Sequence, residues 1–139
     1  MNTPYQILGE DGIRKLAATV YDVMCELPEA ETIRGMHNKD LSEVQTKLGD
    51  YLIGWMGGPP VYHEKVGTVC LSDPHAAYPI GPDEGNAWLL CFNTALERIG
   101  ASDELKEMLD EPVRRLVLAV QNREESIKKN TDPNIIGIG

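Results

Sequence analysis

The chain has 139 residues, a length that suits a single domain built on one hydrophobic core. Its 13 basic and 22 acidic residues give a net charge of −9 without a basic cluster, which argues against binding to nucleic acid or to an anionic membrane surface. No apolar run reaches membrane-spanning length, and the first residues lack the basic and apolar regions of a signal peptide, so we expect a cytoplasmic protein.

The first half of the chain shows two amphipathic helical patterns. Between residues 10 and 27 the apolar side chains recur at intervals of three and four, and Leu27-Pro28 ends this helix because a residue before proline resists the helical conformation. A short helix is expected at 29–36. A second apolar stripe covers 41–55, capped either by a Ser42/Gln45 capping box or by Asp40, and the run GGPP at 57–60 stops it.

The second half continues the helical pattern after an irregular stretch. Residues 61–82 predict a long loop with one short helical turn before His75. A third apolar stripe covers 87–99, a short acidic piece covers 102–110, and Pro112 is placed as a first-turn residue of the last helix. We therefore predict an all-α fold in one domain, residues 1–139, with a core at about 5–127 and a flexible tail at about 129–139.

The chain offers few residues for catalysis or for a metal site built from side chains alone. The odd number of cysteines (Cys25, Cys70 and Cys91) and the absence of a CxxC pair favour buried or half-buried thiols over disulfides or a zinc module. A zinc site from His63, Cys70 and His75 has no standard spacing. A nucleophile pair of Cys91 with His75 lacks a residue to orient the base.

Three aromatic or imidazole side chains are more informative. Tyr21 and Trp88 bring hydrogen-bond donors to apolar helix faces, where each is compatible with an ordinary core residue whose donor reaches a carbonyl group. His75 adds an imidazole on a short segment fixed by Pro74. The combination suits a haem, with the imidazole on one side of the iron and the donors on the side of a diatomic ligand.

The same residues resemble a known family, the group II truncated haemoglobins, over about residues 5–125. The distinctive features are the GGPPxY run, the H-x-x-[FY]-x-I loop and a tryptophan thirteen residues after His75. The matching stretches are VYDVM, IRGMHNKDLSEVQTKLGDYLIGWMGGPPVY, HAAYPIG and AWLLC.

The resemblance implies a truncated-globin fold, a two-over-two helical sandwich around haem b. It implies His75 as the proximal iron ligand, with Tyr21, Trp88 and His37 as hydrogen-bonding residues on the opposite, distal side. It also implies that Lys47 reaches a haem propionate. The other residues it places around the haem are Val44 (in the place of the distal histidine of ordinary globins), Leu48, Tyr51, Leu52, Leu71, Tyr78 and Ile80.

Two positions depart from the family pattern. Many members carry arginines just before the proximal histidine, where they meet the propionates, whereas this chain has Ser72-Asp73-Pro74. Asp73 would repel a propionate, so Lys47 is expected to carry more of the anchoring. A double glycine near the N-terminus is replaced by Gly9-Glu10, which makes the first helical turn less certain.

The resemblance implies a protein of the oxygen-binding and oxygen-transport class that takes up O2 and other diatomic ligands. Several distal donors predict tight binding with slow release, which suits sensing, scavenging or redox chemistry better than bulk delivery. The alternative is a haem enzyme that acts on NO or peroxide with a separate reductase, because the chain has no flavin or nicotinamide motif. A haem-free helical interaction module is the third hypothesis. A monomer or weak homodimer is expected.

Overall fold

The computed structural model describes residues 2–67 and 79–122, and all regular structure within these ranges is helical. Within them no helix is both long enough and apolar enough to cross a membrane. The helices in chain order are α1 (Pro4–Glu26), α2 (Glu31–Gly35), α3 (Ser42–Trp55), α4 (Val61–Val66), α5 (Pro82–Arg98) and α6 (Asp103–Val120), with a 3₁₀ turn at Pro28–Ala30.

Helix α1 begins earlier than the apolar stripe that predicted it. Thr3 and Gln6 form a capping box, in which the Gln6 amide donates to Thr3 Oγ1 at 3.1 Å and the Thr3 amide donates to Gln6 Oε1 at 2.8 Å. Gly9 interrupts the helix with a φ of 73°, a conformation that only glycine adopts at low cost, so the first turns bend away from the rest. The helix ends at Glu26 before the extended Leu27, as Pro28 predicted.

The structure decides between the two predicted caps of α3. Asp40 Oδ1 accepts the Ser42 amide at 2.9 Å, whereas the N-cap position, Leu41, has no side-chain hydrogen bond. This interaction lowers the pKa of the Asp40 carboxyl through the backbone hydrogen bond of Ser42 and then its side chain. Asp40 is therefore the capping side chain, and the Ser42/Gln45 capping box is not formed.

Two helical segments differ from the sequence prediction. Helix α4 forms at Val61–Val66, where we expected an irregular loop. Helix α6 runs without interruption from Asp103 to Val120, with Ser102 Oγ accepting the Leu105 amide at 3.2 Å, so Pro112 lies inside a helix rather than at its start. Proline in a helix removes one backbone hydrogen bond, but the buried stripe of α6 continues on both sides of it. That stripe is Leu105, Leu109, Val113 and Val117.

The long helices pack as two pairs, α1 with α3 and α5 with α6. Helix α1 lies against α3 and α5, and α5 in turn lies against α6. The core between them is apolar, and its largest side chains with no exposed surface include Leu16, Ile53 and Phe92. The arrangement confirms the predicted all-α two-over-two sandwich.

The cysteines are placed differently from one another. Cys91 is fully buried in the core, as predicted, and burial together with the charge of Glu29 raises its pKa to about 11. Cys25 is exposed, so its prediction as a buried or half-buried thiol is wrong: α1 turns it away from the core. Cys70 lies outside the described residues.

A buried carboxylate ties three helices together. Asp50 of α3 is only 3% exposed, and it accepts hydrogen bonds from Arg14 of α1 at 2.9 Å and from Lys65 of α4 at 2.8 Å. Burial acts to raise the pKa of the Asp50 carboxyl, but the hydrogen bonds and charges of Lys65 and Arg14 outweigh it and lower the pKa. Lys65 lies on α4, so this contact joins the short helix to α3.

Candidate functional site

A cavity of about 350 Å³ lies between the two helix pairs. Its volume falls within the range of about 300–1,000 Å³ that is typical of small-molecule and cofactor sites. Eight of the twelve residues predicted for the site line it together, and they come from α1, α3, α5 and the segments before α3 and α5. These residues are Tyr21, His37, Val44, Lys47, Leu48, Tyr51, Ile80 and Trp88.

Of the other four predicted residues only Leu52 lies in the described part of the chain, and it does not line the cavity. Leu52 is fully buried in the core instead, because it lies about 100° further round α3 than Tyr51. Leu71, His75 and Tyr78 lie outside the described residues. Their roles therefore stay predictions.

The cavity wall also contains residues that were not predicted from the sequence. Some of these residues belong to patterns that the sequence shows: the last helix has an apolar stripe, and Tyr62 is the tyrosine of the GGPPxY run. No sequence pattern indicates that Glu84 and Gly85 line a cavity, because on an amphipathic helix a glutamate and a glycine resemble surface residues. The full set of additional residues is Ile33, Met36, Tyr62, Glu84, Gly85, Leu116, Val117 and Val120.

Tyr21 and His37 meet at one wall of the cavity. Their rings are in edge contact, with centroids 5.5 Å apart and planes at 75°. His37 Nδ1 lies 2.8 Å from the Ile33 carbonyl, which can only accept, so the imidazole carries a proton on Nδ1. Burial raises the pKa of Tyr21 to about 12, so its hydroxyl remains protonated and able to donate at neutral pH.

Trp88 enters the cavity from α5 in a fixed orientation. Its indole stacks on the fully buried Phe92, with ring centroids 5.4 Å apart and planes at 22°. Across residues 2–67 and 79–122, neither the Trp88 indole N–H nor the Tyr21 hydroxyl takes part in a hydrogen bond. Two donors therefore line an apolar cavity and are available to a polar ligand.

The two charged groups of the described wall differ in exposure. Lys47 lies at an open edge, 60% exposed, with its Nζ 3.0 Å from Glu43 Oε1. Glu84 is only 6% exposed, and its Oε1 accepts the Gly81 amide at 2.8 Å. The described residues contain no cluster of side chains that could hold a metal ion. A cation at the rim and an apolar interior match an amphipathic group such as haem, whose faces are apolar and whose propionates are anionic.

Gly85 brings α5 close to α6 at the cavity. A Cβ atom at Gly85 would lie 2.7 Å from Val117 Cγ1, so we expect Gly85→Ala to lower the free energy of unfolding by about 1–3 kcal/mol. Val117→Ala in the same chain should recover most of this loss, which chemical denaturation of all four variants of the cycle would measure. Gly35→Ala is the control, since a Cβ there meets nothing within 4 Å. Equal losses of stability in Gly85→Ala and Gly35→Ala would contradict the proposed steric contact.

The fold and the cavity define an all-helical two-over-two protein with an apolar ligand pocket. Residues 3–122 match the family of bacterial-like globins, and the chain belongs to that family as a group II truncated haemoglobin. Membership of a globin family implies a haem iron and the binding of O2 and other diatomic ligands.

Three relatives illustrate the similarity. The group 2 truncated hemoglobin YjbI of Bacillus subtilis strain 168 is 32% identical over 108 residues, which cover 78% of this chain and 80% of YjbI. The group II 2-on-2 hemoglobin from the plant pathogen Agrobacterium tumefaciens is 42% identical, with a TM-score of 0.83 over 89% of this chain and 97% of that chain. A truncated oxygen-avid haemoglobin from Bacillus subtilis is 29% identical, with a TM-score of 0.79 over 87% of this chain and 100% of that chain.

Proposed function

We propose that this chain holds haem b in the cavity through His75 and binds O2 and other diatomic ligands there. The observation that carries the proposal is the pair of donors, the Tyr21 hydroxyl and the Trp88 indole, that line the cavity without a hydrogen bond in the described part of the protein. The haem supplies an iron site for the diatomic ligand when it is bound. The remaining tasks fall to the side chains of this chain.

The distal wall combines apolar surface with donors. Val44 and Leu48 lie on one face of α3, line the cavity and offer no hydrogen bond, so they exclude water from the ligand. Tyr21 and Trp88 stabilise a polar ligand by donating hydrogen bonds. His37 lies beside Tyr21, with the two rings in edge contact. Lys47 at the open edge is the residue we assign to a propionate.

This arrangement favours tight binding of O2. Each donor adds a hydrogen bond to a ligand that carries partial negative charge, worth about 1.5–3 kcal/mol. The relative from Bacillus subtilis is described as oxygen-avid, which is the behaviour we propose for this chain. Slow release suits an oxygen scavenger or sensor better than a carrier for bulk delivery.

An absorption spectrum of the protein purified with haem available tests the proposal. We expect a strong Soret band in the wild type and a weakened or altered band in His75→Ala, partly restored when free imidazole is added to the variant. His63→Ala is the control, because His63 is exposed on α4 and does not line the cavity. A colourless wild type, or a His75→Ala spectrum identical to that of the wild type, would remove His75 as the iron ligand.

A further inference from the structure

One arginine gathers the backbone of the segment between α2 and α3, residues 36–41, which we call the α2–α3 segment. Arg34, half-buried in the last turn of α2, donates from Nη1 to the Asn38 carbonyl at 3.0 Å and from Nη2 to the Lys39 carbonyl at 3.3 Å. A longer contact of 3.4 Å joins Nη1 to the His37 carbonyl. Three consecutive carbonyl groups therefore face one guanidinium group.

The α2–α3 segment has no regular secondary structure to fix it. Met36 ends α2 and α3 begins at Ser42, so the carbonyl groups between them lie beyond the helical hydrogen-bond pattern. The charge-assisted hydrogen bonds from Arg34 replace that pattern at one end of the segment. At the other end, Asp40 Oδ1 accepts the Ser42 amide at 2.9 Å. Side chains therefore hold the segment at both ends.

The α2–α3 segment carries His37 into the cavity wall. The His37 amide donates to the Arg34 carbonyl at 3.1 Å, and its Nδ1–H donates to the Ile33 carbonyl at 2.8 Å. The imidazole lines the cavity and makes its edge contact with Tyr21 there, with ring centroids 5.5 Å apart. A change in the backbone at His37 therefore moves the ring relative to the Tyr21 hydroxyl, which is one of the two donors in the cavity.

We propose that Arg34 is a positioning residue that holds the His37 imidazole beside Tyr21 and so sets the polarity that a bound diatomic ligand meets. The inference rests on the proposed function, because it takes the cavity as the ligand site. Arg34 is not among the described residues that line the cavity, so it acts through the backbone of His37. Its planar guanidinium presents several donors in a fixed geometry, which a flexible lysine does not.

The test compares three variants of the ferrous protein loaded with haem and CO. Arg34→Met keeps an unbranched apolar stem and removes every donor. Arg34→Lys keeps the charge without the planar group. Arg14→Met is the matched control, because Arg14 is also half-buried and its loss leaves Asp50 with one charged partner fewer, which lowers stability. The described ion pairs of Arg14 are with Glu10 and Asp50, away from the α2–α3 segment.

Two readouts follow the ring and the ligand separately. The first is the exchange rate of the His37 Nδ1 proton with solvent, measured by NMR. The second is the infrared C–O stretching band of the CO complex, whose frequency responds to the donors and dipoles around the ligand. A role of Arg34 in stability alone would leave the position of this band unchanged.

In Arg34→Met we expect the His37 Nδ1 proton to exchange about fivefold faster or more, the factor that corresponds to one net hydrogen bond. We expect the C–O band of the same variant to shift or to split into two, because the imidazole takes up more than one position. Arg34→Lys should give an intermediate spectrum, and Arg14→Met should keep the wild-type band.

An unchanged C–O band in Arg34→Met overturns the inference, even if the variant is less stable than the wild type. The same shift in Arg14→Met also overturns it, because general destabilisation would then be the cause. If the wild-type protein forms no CO complex with haem, the proposed function fails together with the inference. The two failures are distinguishable, because only the failure of the proposed function removes the wild-type band.

Discussion

Replacing both Tyr21 and Trp88 with phenylalanine is expected to speed O2 release from the haem-loaded protein by about a hundredfold. Each substitution keeps an aromatic ring in the apolar cavity and removes one donor. Two hydrogen bonds to a ligand with partial negative charge are together worth about 3 kcal/mol, which is about two orders of magnitude in an off-rate. The stack of Trp88 on Phe92 fixes the indole before any ligand arrives, so little entropy is lost on binding.

Stopped-flow displacement of O2 by CO measures this release rate directly. Tyr5→Phe is the control, because Tyr5 carries a similar hydroxyl outside the cavity lining. CO dissociation should change much less than O2 dissociation, since CO is the weaker hydrogen-bond acceptor. Because burial raises the pKa of Tyr21 to about 12, the contribution of its hydroxyl should not vary with pH across the neutral range. An unchanged O2 off-rate in the double variant would show that the ligand is stabilised by other groups.

The second large effect is expected at Asp50. At neutral pH, Asp50→Asn should lower the free energy of unfolding by about 3 kcal/mol, because a buried carboxylate with two charged partners is replaced by a neutral amide. An asparagine can accept from one of the two cations only, and its amide group would face the other. Urea unfolding of the haem-loaded variant measures the change. Asp110→Asn is the control, since its pair with Arg114 is exposed and should change stability by no more than about 0.5 kcal/mol.

The pH dependence gives the sign of the Asp50 interaction. Because the folded-state pKa is lowered, the stabilisation is complete above the unfolded value of about 3.9 and is lost as pH falls through the folded pKa. The stability difference between wild type and Asp50→Asn should therefore be constant above about pH 5 and shrink as the solution is acidified further. A difference that grows on acidification would mean that the Asp50 pKa is raised instead.

The helices with strong local signals were the ones that the sequence could predict. Residues 10–27, 41–55 and 87–99 each have an apolar stripe of several turns, and a helix forms at each. Helix α4 has only six residues, too few for a periodic signal, and its Lys65 contacts Asp50, fifteen positions away in the chain. Pro112 prefers the first turn of a helix, but α6 continues through it because the helix has buried apolar residues both before and after Pro112.

The residues of the site also divide into those that local sequence patterns could predict and those that they could not. Tyr21, Val44 and Trp88 line one cavity, on helices whose apolar stripes have a clear register, and their roles towards a haem stay predictions. Glu84 and Gly85 could not be found from the sequence, since their roles depend on where α6 crosses α5. The hydrogen bond from the Ile80 amide to the Asn122 side chain joins residues 42 positions apart, and no local pattern encodes such a contact.

The burial of Cys91 has a consequence for the chemical durability of the protein. Burial raises the pKa of the Cys91 thiol to about 11, so it is almost entirely protonated at neutral pH, and the thiolate is the form that oxidants and alkylating agents attack. We therefore expect the Cys91 thiol, one turn from Trp88 on α5, to react slowly with peroxide. Cys25 on the outer face of α1 is open to reagents, so of these two thiols it offers a selective attachment point for a fluorophore or spin label.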